Sequence, residues 1–388
     1  MKKGTMHAVD FTTCSMNTVQ WRLVRNIHSQ SFIGVNYGEL ADNLPLPEYT
    51  ASLIKSTSIG KVRLYSAADA GMISALADSG VEIVIAVTNG EIPVLAADAE
   101  AASQWVTSRV VPYYPNSNIT LITVGDETMT MRDEGLISSL LPAMRNVKNA
   151  LNEASLGNSI KVTTVNSMAL LSHSDPPSFG SFNPELQDTV KELLLFLKDN
   201  ESPFAINLYP MRAYASNPTP ETLSFCLFQP SSARVDFGNS KNYTNMFDYQ
   251  VDAVYSALRA MEFPDIEIVV AATGWPSRGD PNEVGPSILY AKAYNQNLVS
   301  HLRSLVGTPL MPGKSVDTFI YALYDADLKT GRASEQAFGL YKTDLTMAYD
   351  VGLAKPFQQV TTHAFTPVGV IVPEAAEAPQ LKANFSLC

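Results

Sequence analysis

The 388-residue sequence predicts an α/β fold of the (β/α)8 TIM-barrel class, on three observations. Eight short runs of β-branched and aromatic residues recur between turn residues, most of them are continuously apolar, and the segments between them carry helical spacing. Continuous apolar runs suit strands covered on both faces, as in a parallel sheet wrapped by helices. Strand and helix alternating eight times make the pattern of a closed barrel.

In chain order the runs are "FIGVNYG" from Phe32, "KVRLYS" from Lys61, "EIVIAV" from Glu82 and "ITLITVG" from Ile119. They continue with "KVTTVNS" from Lys161, "FAINLYP" from Phe204, "IEIVVAATG" from Ile266 and "DTFIYALYD" from Asp317. Between them, "LISSLLPAMRNVKNALNEAS" and "TVKELLLFLKDN" place apolar residues three and four positions apart, which gives each helix one face to bury. The barrel is expected over residues 32–353, after an extension over 1–31 and before a Pro-, Ala- and Thr-rich tail over 354–388.

Chemistry in such barrels sits at the C-terminal ends of the strands. Those ends read Asn36 and Tyr37, Arg63 and Tyr65, Asn89, Asp126 and Glu127, Asn166, Asn207 and Tyr209, Ala272 and Trp275, and Tyr324 and Asp325. Amides bond hydroxyl groups and aromatic faces stack on the apolar faces of sugar rings, so the mouth suits a neutral polyhydroxy ligand.

Composition narrows the field further. A hydrophobic fraction of 46% supports a large core, and a net charge of -11 disfavours nucleic acid and anionic membranes as partners. No apolar run approaches the ~18 residues of a membrane span, so no transmembrane segment is expected. Cys14, Cys226 and Cys388 are odd in number and far apart, and the five histidines lack ligand spacing; neither a disulfide framework nor a metal site is predicted. Cys226 reads as a buried thiol. The sequons at Asn118, Asn200, Asn242 and Asn384 occur at about chance frequency. The first 31 residues lack the apolar core of a signal peptide and read as an unstructured extension, a misassembled gene start or, more faintly, a transit peptide. Nothing selects an oligomeric state.

Six motifs in order carry a resemblance: "IGVNYGELADNLP" from Ile33, "KVRLY" from Lys61, "ITVGDE" from Ile122, "FAINLYP" from Phe204, "ATGWPSRGD" from Ala272 and "FGLY" from Phe338. They resemble glycoside hydrolase family 17, the plant endo-β-1,3-glucanases. The resemblance implies a (β/α)8 barrel, retaining hydrolysis of β-1,3-glucan, no cofactor and no metal, and a location outside the cell or in the cell wall.

Retaining hydrolysis uses two carboxyl groups about 5–5.5 Å apart, one protonating the departing oxygen and one attacking the anomeric carbon. By the family pattern Glu127 matches the acid/base. The nucleophile's place, before "TGWP", is taken by Ala272. Asp126 stands where the family usually has Asn, Ala326 replaces a further glutamate, and Lys329 and Glu335 match. The resemblance and the strand ends together give a substrate-binding set of Tyr37, Tyr65, Asn89, Asp126, Asn207, Tyr209, Trp275 and Phe338.

A methyl group cannot attack a carbon, so the expected protein binds β-1,3-glucan with hydrolysis lost or severely impaired. Two alternatives stand beside that reading: hydrolysis by an unusual inverting route with Asp325, Asp327 or Glu335 as base, and decay of the gene. Arg212 occupies a position where relatives usually carry an aromatic residue; it reads as a solvent-facing loop residue or as a weakened stacking subsite. Gly34 and Gly38 read as turn and close-approach glycines rather than a phosphate loop. The segment "VPEAAEAPQLKANFSLC" faintly resembles the start of a cysteine-rich glucan-binding module of family 43, and reads equally as an ordinary tail.

Overall fold

The structure, a computed structural model, describes residues 32–38, 40–230 and 233–355. The extension over 1–31, Cys14, Cys388, Asn384 and the tail from 356 onward lie outside the described residues.

All eight expected strands form, and they close into one parallel barrel. In chain order its staves are β1 (Ile33–Tyr37), β2 (Lys61–Leu64), β3 (Glu82–Val87), β4 (Asn118–Asp126), β5 (Lys161–Ser167), β8 (Phe204–Asn207), β11 (Ile268–Thr273) and β12 (Asp317–Ile320). The sheet closes where β1 pairs in parallel with β12, Ile33 opposite Thr318 and Val35 opposite Ile320. The numbers missing from the barrel belong to two small antiparallel ribbons: β6 (Leu171–His173) with β7 (Ser181–Phe182), and β9 (Arg234–Asp236) with β10 (Lys241–Tyr243).

Both predicted amphipathic segments are helices, Glu134–Glu153 and Gln187–Asp199. The first is started by Asp133, whose side chain accepts from the Leu136 N–H, and it buries Leu140, Met144, Val147 and Leu151, one stripe of its surface. The main core lies between strands and helices. Inside the barrel a separate cluster of Val84, Leu121, Val269 and Phe319 fills the space, as expected of a packed barrel rather than a pore. Gly34 makes that packing fit: a Cβ there would sit 2.5 Å from the Phe319 ring. Cys226 is fully buried as expected; burial pushes its thiol up to about 12, and its Sγ–H faces the Pro210 carbonyl at 3.2 Å.

Candidate active site

Alternation alone would not bring Ala272 level with Asn207. On β11 the pairing with β8 runs Val270 opposite Ile206 and then Ala272 opposite Asn207, so Ala271 is the extra residue of a bulge. A bulge re-aims the side chain that follows it. The Asn36 amide from β1 holds this one in place by donating to the Ala271 carbonyl at 3.1 Å. One residue later, the Thr273 hydroxyl bonds the Tyr294 hydroxyl on the outer helix Ile288–Ser304.

Glu127 lies just beyond β4 and adopts a left-handed backbone, φ 55° and ψ 20°. That region is uncommon for a side chain other than glycine and is frequent where a site over-determines its backbone. Here the Glu127 N–H donates to the Val165 carbonyl at 2.8 Å, and the Thr130 hydroxyl donates to the Glu127 carbonyl at 2.9 Å. Gly125, φ +74°, is needed two residues earlier because a Cβ would fall 2.3 Å from the Thr128 hydroxyl.

Arg63 is buried beneath the mouth. Its guanidinium bonds the Asp126 carboxylate at 2.6 Å and the Asn36 side-chain oxygen Oδ1 at 3.3 Å, and it lies over the Tyr65 ring at 4.5 Å. Burial alone would make the guanidinium easier to deprotonate, but Asp126 together with Tyr65 and Tyr209 outweighs it and holds the group above its ordinary value. The Asn207 amide spans the two neighbouring carboxylates, donating to Asp126 Oδ1 at 3.0 Å and to Glu127 Oε1 at 2.9 Å.

The opposite wall is built around Tyr321. Lys329 donates to Glu335 at 2.9 Å and to the Tyr321 hydroxyl at 3.1 Å. Burial would lower this lysine's affinity for its proton, yet Tyr321 and Glu335 together raise it. Tyr321 meets Tyr65 edge-on at 6.2 Å and Phe338 at 5.0 Å, and Tyr209 meets Phe338 at 6.2 Å. Burial pushes the Tyr65 and Tyr209 hydroxyls up, so both are neutral donors at ordinary pH.

Between these walls lies a cavity of about 370 Å³, within the range of small-ligand sites. Tyr65, Asp126, Glu127, Asn207, Tyr209 and Phe338 line it, with Ala326, Lys329 and Glu335. The remaining expected contacts require correction. Tyr37 is buried edge-on against Tyr324, and Trp275 is fully buried, donating to the Gly285 carbonyl at 2.8 Å among Tyr214, Tyr290 and Tyr294. Neither ring faces the cavity, because both are spent on packing.

Asn89 also lies outside the lining. Its Oδ1 accepts from the Asp126 N–H at 2.8 Å and its Nδ2 donates to the Asp126 carbonyl at 3.1 Å, so it braces the turn that carries Glu127. The Ala272 methyl is fully buried, opposite Asn207 in the strand pairing. Of the three carboxylates considered for an inverting route, Glu335 faces the cavity; Asp325 and Asp327 line a neighbouring one, where Asp325 bonds Arg278 and the Gly339 N–H.

Tyr321 is hidden in the sequence because the eighth apolar run continues to Tyr324 and Asp325. The strand stops at Ile320, which makes Tyr321 the first residue past it. Arg212, read as solvent-facing or as a weakened stacking position, is exposed yet lines the cavity, with its guanidinium over the Tyr209 ring at 5.0 Å. Among the described residues, no group of three or more His, Cys, Asp or Glu side chains is placed to hold a metal ion, and no helix is long and apolar enough to cross a membrane.

The sequence pattern described as Glycosyl hydrolases family 17 matches residues 33–353. The chain belongs to this family. A family 17 barrel is thus what closes around the Glu127 mouth, and the similarity to particular relatives is high. The chain is 59% identical over 360 residues to Glucan endo-1,3-beta-glucosidase 7 of Arabidopsis thaliana, covering 92% of this chain and 71% of that one. It is 58% identical to Glucan endo-1,3-beta-D-glucosidase of Olea europaea, with 92% and 78% covered. Among solved structures, a beta-1,3-glucanase and allergen of Cryptomeria japonica pollen superposes with a TM-score of 0.79 at 38% identity, covering 84% of this chain and 99% of that one.

Proposed function

We propose that this family 17 protein binds β-1,3-glucan in the mouth around Glu127 and does not hydrolyse it by the retaining route. The observation that carries the reading is the pairing of Ala272 with Asn207, the residue whose amide reaches both Asp126 and Glu127. A nucleophile beside that amide would face Glu127 across the bound sugar; a methyl offers no lone pair to attack C1 and no charge to steady an oxocarbenium-like centre.

Binding needs less than catalysis does. Tyr65, Tyr209, Tyr321 and Phe338 supply flat apolar surface, and the neutral tyrosine hydroxyls, with the one Lys329 proton not given to Glu335 or Tyr321, supply donors for sugar oxygens. Glu127 accepts hydrogen bonds when ionised and donates one when protonated.

The names of the relatives support β-1,3-glucan as the ligand. The test is calorimetric titration with laminari-oligosaccharides beside an assay of reducing-end release from laminarin. Binding with release at least about 10⁴-fold below an active relative is expected, since a lost nucleophile removes about 10⁶ in comparable hydrolases. A folded protein that binds none of these sugars, or one that releases reducing ends at an ordinary rate, would overturn the reading.

A second reading keeps slow hydrolysis with Glu335 as the base for an attacking water. It is favoured by the position of Glu335 on the cavity wall, and opposed by the ion pair in which Lys329 already holds it. Turnover that vanishes in Glu335→Gln and in Glu127→Gln alike would support it.

A further inference from the structure

Three cations stand at this mouth, and two of them are committed. Arg63 is paired with Asp126 and Lys329 with Glu335. Arg212 has no carboxylate partner among the described residues, although it lines the same cavity. Its placement is not loose. It follows Tyr209 by three residues in the short helix Pro210–Ser216, its N–H donates to the Tyr209 carbonyl at 2.9 Å, and its guanidinium lies over the Tyr209 ring. A guanidinium held over a ring keeps its N–H donors for other partners, and their fork matches the two oxygens of a carboxylate.

We propose that the mouth prefers β-1,3-glucan chains bearing carboxylate groups over neutral ones, with Arg212 as the specificity-determining residue. This rests on the glucan-binding reading above and goes beyond it in naming the charge of the ligand. The absence of acidic side chains at Ala272 and Ala326 works in the same direction, because each would have repelled an anionic sugar. With Asp126 and Glu335 neutralised by their partners, Glu127 is the one mouth carboxylate without a cation at salt-bridge distance among the described residues, and it is held by the Asn207 amide. A sugar can present a hydroxyl to Glu127 while its carboxylate meets Arg212.

The probe is a laminari-oligosaccharide oxidised at C6, which keeps the β-1,3 linkage and places a carboxylate on each ring. Short chains are preferred, since the net charge of -11 repels long polyanions. Calorimetry should give about two- to five-fold tighter binding of the oxidised sugar than of the neutral one of equal length, the range of an exposed ion pair with good geometry. In Arg212→Ala that ratio should fall to one or below, and Arg212→Lys, a point charge without the fork, should keep only part of it.

Equal or tighter binding of the neutral sugar, or a preference that survives Arg212→Ala, would overturn the inference and leave the glucan reading intact. A folded protein that binds neither sugar would overturn both. Tighter binding of 6-O-sulfated than of oxidised chains would overturn the assignment of carboxylate as the preferred group.

Discussion

One amide nitrogen, Asn207 Nδ2, donates to both Asp126 Oδ1 and Glu127 Oε1, at 3.0 and 2.9 Å. Consecutive carboxylates repel, and this donor, with Arg63 behind Asp126, is what lets both face one cavity.

Asn207→Ala should therefore destabilise the fold by about 1–3 kcal/mol, the range for lost hydrogen bonds to charged groups. Asn207→Asp should cost more at neutral pH, by placing a third carboxylate beside the other two, and should recover part of the loss as the solution is taken below about pH 4. Urea denaturation of the three proteins at pH 7 and about pH 3 checks both statements. An Asn207→Asp variant as stable as the parent at pH 7 would contradict them.

Restoring a carboxylate at position 272 is expected to work better when Asp126 is changed with it. Ala272→Glu alone adds a third acid around one amide donor, whereas Ala272→Glu with Asp126→Asn leaves two and frees Arg63 to pair with the new glutamate. The double variant should release reducing ends from laminarin about 10³-fold faster than the parent or more, and faster than the single variant. Equal rates in the two variants would show that Asp126 does not oppose the restored group.

A pH-dependent stability is predicted away from the mouth. Asp252 is fully buried, accepts from Tyr243, Thr308 and the Leu310 N–H, and burial raises its pKa from 3.8 to about 6. Between those values the folded chain holds the proton that the unfolded chain has released. The stability contributed by that proton is thus complete below about pH 4 and is lost as pH rises toward 6, a change of about 2–3 kcal/mol. Asp252→Asn should flatten this slope in denaturation curves taken from pH 4 to pH 7; an unchanged slope would assign it to other groups.

Gly34→Ala should cost about 1–3 kcal/mol, because the new Cβ meets the Phe319 ring inside a packed barrel. Combining it with Phe319→Leu should recover part of the loss, and chemical denaturation of the single and double variants measures how much.

The eight strands and the Glu127 motif were legible because they depend on local sequence. A continuous apolar run such as "EIVIAV" is readable wherever it occurs, and so are the six ordered motifs. Strand ends were less legible. The eighth run continues apolar past Ile320, so nothing in it marks Tyr321, which faces the cavity, while Tyr324 turns to pack against Tyr37. Likewise, an indole at a strand end reads the same whether it meets sugar or core, and Trp275 is core.

The sequence by itself determined the barrel, the order of its staves, the acid at Glu127 and the absence of a carboxylate at Ala272. Those follow from periodicity and from residue identity, which are properties of the chain. Only the tertiary structure decided which side chains share the mouth. The bulge at Ala271, the buried pairing of Arg63 with Asp126 and the shared Asn207 amide each join groups from different loops or strands, and their contacts depend on through-space distance, which residue spacing does not record.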